Sequence, residues 1–167
     1  MRNNSLLSHL LSIIILPGTV TLLIPYLLNE YLKEPTIYNE HIVLKLGGMG
    51  FMGFGLILFL ICLIYFISVG KGTLAPWTPT RNLVVSGPYR YVRNPMIIAI
   101  LSILLGEALY LNSISVLVWG MLFFLINTVY FELIEEPKLE RKFGEDYARY
   151  KRKVGRWMPN TRPYEME

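Results

Sequence analysis

Residues 42–69 read IVLKLGGMGFMGFGLILFLICLIYFISV, a run in which Lys45 is the only charged side chain. A helix needs about 20 apolar residues to cross the hydrocarbon core of a bilayer, so this run is long enough for a membrane span. Its first half carries glycines at positions 47, 48, 50, 53 and 55. Small residues let helix backbones approach closely in lipid, so we expect this helix to pack tightly against another.

Three further apolar runs indicate membrane spans on either side of this one. The first covers residues 6–28, and Pro17 should kink it because proline donates no backbone hydrogen bond. No Ala-x-Ala-like cleavage site follows it, so we interpret it as an uncleaved anchor. The other two runs, residues 96–110 and 114–134, form a predicted helical hairpin with its turn at Asn112 and Ser113.

Composition and charge agree with a membrane protein of one domain. Hydrophobic residues make up 53% of the 167 residues, charged residues only 17%, and the mean hydropathy is +0.43. The net charge of +4 does not indicate nucleic-acid binding, because the basic residues flank the apolar runs as they do in cytoplasmic membrane loops. With four spans, fourteen of the sixteen basic residues fall on one side, leaving only Lys33 and Lys45 on the other. The positive-inside rule then predicts that both termini are cytoplasmic.

The charged C-terminal segment predicts an amphipathic helix from Glu135 to about Val154. The apolar side chains of one face recur every three or four residues: Leu139, Phe143, Tyr147 and Tyr150. Such a helix lies on the membrane surface or under the helical bundle, and the basic run at residues 151–153 favours anionic lipid head groups. The predicted fold class is therefore all-α integral membrane, with about four transmembrane helices and a C-terminal cytosolic amphipathic helix.

Two segments carry residue types that suit a binding site. In residues 81–95, Pro95 lies at the predicted start of the third span, where unpaired backbone N–H groups and the helix dipole favour an anion. Arg90 and Arg93 add positive charge, so a ligand carboxylate would be well placed. The alternative is that the arginines only fix the topology and the tyrosines form an interfacial belt.

The second segment is Glu132-Leu-Ile-Glu-Glu136, where the fourth span leaves the membrane. An α-helical repeat places Thr128, Glu132 and either Glu135 or Glu136 on one stripe, which a cationic ligand group would suit. The alternative is a solvated helix end. Together the two segments fit a zwitterionic, amino-acid-like cofactor, although the sequence alone does not show that they meet.

The sequence predicts neither a metal site nor a reactive cysteine. His9 and His41 lie far apart without partners at metal-ligand spacing, so no metal is predicted. Cys62 is the only cysteine and lies inside an apolar run, where a buried structural role is expected. Glu107 lies near the outer end of the third span, close enough to the interface for its carboxylate to reach water.

At these two segments the chain resembles the isoprenylcysteine carboxyl methyltransferase and phospholipid methyltransferase superfamily of membrane enzymes. The matching residues are Leu83, Val84, Gly87, Tyr89, Arg93, Asn94, Pro95, Met96 and Ile97, then Glu135, Glu136, Leu139, Phe143, Gly144, Tyr147 and Tyr150. Two positions differ from the usual pattern: Asn94 replaces a histidine and Ile97 a tyrosine. The resemblance divides the chain into an N-terminal transmembrane pair, 1–69, a methyltransferase-like core, 70–160, and a tail, 161–167.

The resemblance implies methyl transfer from S-adenosylmethionine to a lipid-borne or hydrophobic acceptor, a carboxylate or an amine, at the cytosolic membrane face. By position it assigns the cofactor pocket to Leu83, Val84, Tyr89, Arg93, Asn94, Pro95, Met96, Ile97, Glu135 and Glu136. It also makes Glu132 and Glu136 the catalytic candidates that face the acceptor.

Two other functions stay open at this stage. A membrane subunit on the same scaffold without activity would explain the changes at Asn94 and Ile97. A nicotinamide-dependent membrane reductase has a similar C-terminal motif pair, but such chains are usually much longer.

Overall fold

The computed structural model describes residues 14–32, 42–71 and 80–165, and within these ranges every regular element is helical. Parts of the predicted first loop and of the connector, together with His9 and His41, lie outside them. The helices, in chain order, are a π-helical segment Ile14–Leu23 continued by α1 (Ile24–Leu32), α2 (Ile42–Ser68), α3 (Pro95–Leu111), α4 (Ile114–Tyr130), a π-helical turn Phe131–Glu135, α5 (Glu136–Phe143) and α6 (Glu145–Lys153).

Two helical stretches among the described residues are long and apolar enough to cross a bilayer. They are α2 and the continuous stretch Ile114–Phe143, whereas the apolar α3 is shorter. Large side chains on their outer faces are exposed, among them Ile57 on α2 and Ile126 on α4, each about 60% exposed. Helices that are apolar all round and exposed along most of their length suit a lipid surrounding.

The described part of the predicted first span is helical up to Leu32, four residues beyond its expected end. The segment around Pro17 is π-helical, and the Thr21 hydroxyl donates a hydrogen bond to the Pro17 carbonyl at 2.9 Å. The Trp119 indole N–H donates to the Val20 carbonyl at 3.1 Å, which ties this segment to α4.

The glycines of α2 allow the close helix contact that the sequence predicts. A Cβ added to Gly48 would lie 2.6 Å from the Gly106 carbonyl oxygen of α3, and one added to Gly55 would lie 2.6 Å from the Ala99 oxygen. Gly53 has no such neighbour within 4 Å in the part of the chain that the structure describes. One stripe of these glycines therefore forms the α2–α3 interface.

The turn between α3 and α4 lies at the two predicted residues. Asn112 ends α3 in the left-handed conformation, with φ 54°. The Ser113 hydroxyl caps α4 by accepting a hydrogen bond from the Val116 N–H at 3.3 Å. A short polar cap of this kind satisfies a backbone donor that the helix itself leaves unpaired.

The C-terminal segment differs from the single helix predicted over residues 135–154. Gly144, with φ 57° and ψ −133°, separates α5 from α6. This backbone region is nearly restricted to glycine, so Gly144 can stop the helix although the apolar spacing continues across it. Of the predicted apolar face, Tyr147 and Tyr150 are buried in a cluster with Val85 of the connector, and Leu139 and Phe143 are partly buried against that cluster.

Candidate functional site

A cavity of about 470 Å³ opens between the helical bundle and the C-terminal helices. This volume lies within the range of roughly 300–1,000 Å³ that is usual for small-ligand sites. Its wall is apolar on the bundle side and polar where α4 passes into α5. Its lining includes residues of the connector, of α3, of the end of α4 and of the C-terminal helices: Leu83, Val84, Tyr89, Arg93, Asn94, Met96, Ile97, Tyr130, Phe131, Glu135, Lys138, Tyr147 and Tyr150.

The connector wall of the cavity is held to the end of α2. The Arg81 N–H donates to the Gly70 carbonyl at 2.7 Å, and the Asn82 side-chain amide donates to the Val69 carbonyl at 2.9 Å. Gly87 has φ 57° and lies directly against the Tyr65 ring, so a side chain would fit neither the backbone conformation nor the space. The connector therefore has one defined path along the cavity.

The segment after α6 holds the other side of the same wall. The Arg93 N–H donates to the Gly155 carbonyl at 2.9 Å, the Asn160 N–H to the Tyr91 carbonyl at 2.8 Å and the Tyr164 N–H to the Arg90 carbonyl at 2.9 Å. We call residues 155–164 the strap. Because three backbone hydrogen bonds join distant parts of the chain, the position of Arg93 depends on the strap.

The start of α3 lines the cavity and has donors that the helix itself does not pair. The first N–H donated within this helix is that of Ile98, to the Asn94 carbonyl, so the N–H groups of Met96 and Ile97 precede the helical hydrogen-bond pattern. Asn94 is 8% exposed, and its side-chain Nδ2 is buried without a hydrogen-bond partner among the residues that the structure describes. A buried donor of this kind usually has a partner, so a ligand acceptor atom fits here.

A buried cluster of charges lies behind this wall. Glu136 Oε1 lies 2.9 Å from Arg93 Nη1 and 2.7 Å from Arg156 Nε, and its Oε2 lies 3.2 Å from Lys151 Nζ. Arg156 Nη1 also pairs with Glu132 at 3.0 Å. The hydrogen bond to Glu136 raises the pKa of Arg156, so this guanidinium stays charged.

The Arg93 guanidinium has donors to spare despite its ion pair. Its side chain is 10% exposed, Nε has no hydrogen-bond partner within residues 14–32, 42–71 and 80–165, and the Nη1 contact with Glu136 has an ion-pair distance without hydrogen-bond geometry. Arg93 also lines the cavity, so its positive charge favours an anionic ligand group there.

Tyrosines supply neutral hydroxyl groups to the cavity wall. Burial raises the pKa of Tyr89 well above its ordinary value and the pKa of Tyr147 to about 12. Both phenols are therefore protonated at neutral pH. The Tyr150 hydroxyl donates to the Tyr89 carbonyl at 2.6 Å, which fixes α6 against the connector.

The acidic end of α4 differs in detail from the predicted stripe. The Tyr130 hydroxyl lies 3.3 Å from Glu135 Oε2, and both residues line the cavity. Glu132 is largely exposed and Glu136 is buried; both side chains turn to Arg156. Neither belongs to the cavity lining, and their expected catalytic role stays a prediction.

The structure brings together most residues that the sequence predicted for the cofactor pocket. Eight of them line one cavity: Leu83, Val84, Tyr89, Arg93, Asn94, Met96, Ile97 and Glu135. Pro95 is buried in the first turn of α3, and Glu136 does not line the cavity but pairs with Arg93, which does. The two candidate segments, separated by some forty residues, therefore meet at an ion pair.

Sequence reasoning missed Arg156 and Tyr130. Arg156 lies two residues after the buried Val154, outside both candidate segments. No sequence pattern therefore predicted that it would contact Glu136. Tyr130 was indistinguishable from an interfacial tyrosine, because its contact with Glu135 requires the π-helical turn.

Comparison with known proteins identifies the family. A family model of phospholipid methyltransferases matches residues 45–146, from α2 into α6. The chain belongs to the phospholipid methyltransferase family. This confirms the resemblance seen in the sequence, and it makes the protein, in general terms, a methyltransferase of membranes.

One further protein is similar in sequence to a shorter region of this chain. An uncharacterized protein of Haemophilus influenzae is 43% identical over 65 residues, which is 38% of this chain and 100% of that protein. No solved structure matches the chain.

Proposed function

We propose that this family member transfers a methyl group from S-adenosylmethionine to a lipid-borne or otherwise hydrophobic acceptor, in a cavity that opens to the cytosol. The observation that carries the proposal is the juxtaposition in one cavity of free donors at the start of α3 with the Glu135 carboxylate at the end of α4. An amino-acid-like cofactor carries both an anionic and a cationic group, so it matches such a wall.

The residues present fit the cofactor. The carboxylate would bind the first-turn amides of α3, the Asn94 Nδ2 donor and Arg93, while Leu83, Val84 and Tyr89 would enclose the apolar and aromatic parts. When bound, the cofactor supplies an activated methyl group, so the protein's main task is to align the acceptor and exclude water. Asn94 suits binding but cannot act as a base at neutral pH.

We place the acceptor on the bundle side of the cavity. Val20, Ile100 and Phe123 form an apolar wall there, at the level of the membrane helices, and a hydrophobic chain can reach it from lipid. The proposed topology has four spans, with both termini and the cavity mouth in the cytosol, as the distribution of basic residues indicates.

Calorimetry on detergent-purified protein tests the cofactor assignment, with S-adenosylhomocysteine as the probe. We expect binding by the unmodified protein and roughly tenfold or weaker affinity for Arg93→Ala and Asn94→Ala, because each removes donors for the carboxylate. Arg152→Ala, on the exposed face of α6, is the matched control and should bind normally.

Two results would contradict the proposal. Failure of the unmodified protein to bind S-adenosylhomocysteine would favour a subunit without activity. Binding of a reduced nicotinamide in its place would favour a reductase.

A further inference from the structure

The apolar end of the cavity is formed by three membrane helices. Ile100 is the lining residue of α3 furthest from the start of that helix, and Phe123 is the lining residue of α4 furthest from its end. Val20 of the π-helical segment lines the same end. In the part of the chain that the structure describes, the cavity lining therefore extends no further into the helical bundle than these three residues.

Trp119 lies directly behind this end, one turn before Phe123 on the same face of α4. The centroid of its ring lies 6.5 Å from that of Phe123, and its indole N–H donates to the Val20 carbonyl at 3.1 Å. All three residues pack against the buried cluster that contains Ile100. Packed interiors leave few voids, so the Trp119 side chain blocks the path from the cavity along the bundle.

The Val20 carbonyl finds in Trp119 a donor that its own helix does not offer in the π-helical pattern. In that pattern a carbonyl pairs with the N–H five residues on, and for Val20 this residue is Pro25, which has no N–H. An unpaired carbonyl or indole N–H costs free energy in an apolar surrounding. Their hydrogen bond satisfies both groups, so it favours one orientation of the Trp119 side chain.

The length of the apolar part of the cavity follows from helix geometry. A rise of about 1.5 Å per residue gives about 10 Å along α4 from Tyr130, beside the polar wall, to Phe123. The acyl chains of one leaflet span about 15 Å, half of the hydrocarbon core of a bilayer. A full-length chain that followed this path would therefore meet Trp119 before it was fully enclosed.

We propose that Trp119 forms the floor of the cavity and limits the length of hydrocarbon chain that a methyl acceptor can place there. This inference rests on the proposed function, and it concerns the hydrophobic part of the acceptor, not the group that is methylated. Chains shorter than the distance to the floor gain apolar contact with each further methylene group. Longer chains gain no more, because the indole occupies the space ahead of them.

A series of chain lengths tests the floor without any methyl transfer. The straight-chain alcohols butanol, hexanol, octanol and decanol are titrated by calorimetry into the detergent-purified protein and into Trp119→Ala. The two proteins are compared at equal chain length, so that the partition of each alcohol into detergent cancels. We expect butanol affinities within about twofold of each other and about tenfold tighter binding of decanol by Trp119→Ala, since each newly enclosed methylene group is worth about fourfold.

Two further variants complete the series. Val118→Ala is the matched control, because Val118 is the neighbour of Trp119 on α4 and is 47% exposed; it should bind every alcohol as the unmodified protein does. Trp119→Phe keeps a smaller aromatic ring, so its decanol affinity should rise about threefold, and it provides the test if Trp119→Ala does not fold. S-adenosylhomocysteine should bind all four proteins within about twofold, because the polar wall is unchanged.

The dependence on chain length separates a floor from a merely structural role. An equal change at every chain length would indicate general loosening of the bundle and would contradict the floor. Unchanged decanol affinity in both Trp119 variants would overturn the inference, since the chain would then leave the cavity sideways into lipid. Failure of the alcohols to bind the unmodified protein would overturn it as well. If the unmodified protein failed to bind S-adenosylhomocysteine, the proposed function would fail, whereas the alcohol series reports on the floor independently.

Discussion

The Glu136 carboxylate, with a side chain only 3% exposed, keeps its charge because three cations surround it. A buried carboxylate without such partners would cost several kcal/mol. The arrangement also has a geometric effect, since Arg93 lies between Glu136 and the cavity. We therefore interpret Arg156 as a positioning residue: it holds Glu136, and Glu136 holds Arg93 in the cavity wall.

Arg156→Ala should lower both stability and cofactor affinity. Glu136 keeps Arg93 and Lys151, so we expect a loss of about 1–2 kcal/mol, below the roughly 3–5 kcal/mol that follows when a buried ion pair is fully broken. Arg93 would shift toward Glu136, so S-adenosylhomocysteine should bind several-fold more weakly.

Thermal unfolding and calorimetry on the same preparation measure the two effects. Arg156→Lys should recover part of the affinity, because it restores the charge. Arg152→Ala, whose side chain is 65% exposed, should change neither quantity. Equal effects at positions 152 and 156 would contradict the positioning role.

The helices show which features a sequence can predict. The bounds of α2, α3 and α4 agree with the apolar runs within a few residues. The break at Gly144 was not predictable from the apolar spacing, which continues through it. The π-helical turn Phe131–Glu135 was also not predicted, and α-helical spacing left open whether Glu135 or Glu136 faces the ligand; Glu135 is the one that lines the cavity.

Packing between α2 and α3 leads to a prediction about two glycines of one helix. Gly55→Ala should destabilise the protein by about 1–3 kcal/mol, because the added Cβ would lie 2.6 Å from the backbone oxygen of Ala99, which cannot move away independently. Gly53→Ala has open space at its Cβ and should be neutral or stabilising by up to about 1 kcal/mol. Thermal unfolding in detergent measures both changes, and equal shifts would rule out the close helix contact.

The cavity as a whole was only partly predictable. Charge suggested that the connector and the end of α4 could serve one ligand, and only the resemblance implied that they share a pocket. In the structure Arg93 and Glu136 of these two segments form an ion pair. The strap was not foreseen, because its contacts are mostly backbone hydrogen bonds, which no side-chain pattern reveals.

At the scale of the whole molecule, the proposed four-span topology predicts which faces reagents can reach. Single cysteines at Ile114, beside the α3–α4 turn, and at Met158, in the strap, should lie on opposite sides of the membrane. Both native side chains are exposed, whereas Cys62 is fully buried and should not react.

A membrane-impermeant maleimide applied to intact cells should label Ile114→Cys and leave Met158→Cys unlabelled until the cells are lysed. The unmodified protein provides the background. Labelling of Met158→Cys in intact cells would place the strap outside and remove the cytosolic orientation.

The strap has a consequence for biosynthesis. Its hydrogen-bond partners for Arg90, Tyr91 and Arg93 lie between positions 155 and 164, and residues leave the ribosome in order. All the membrane helices can therefore insert before the wall behind Arg93 is complete. A nascent chain whose helices have already inserted would still lack the complete cavity wall. The ligand site would therefore form in a late, separate step, after the strap has left the ribosome.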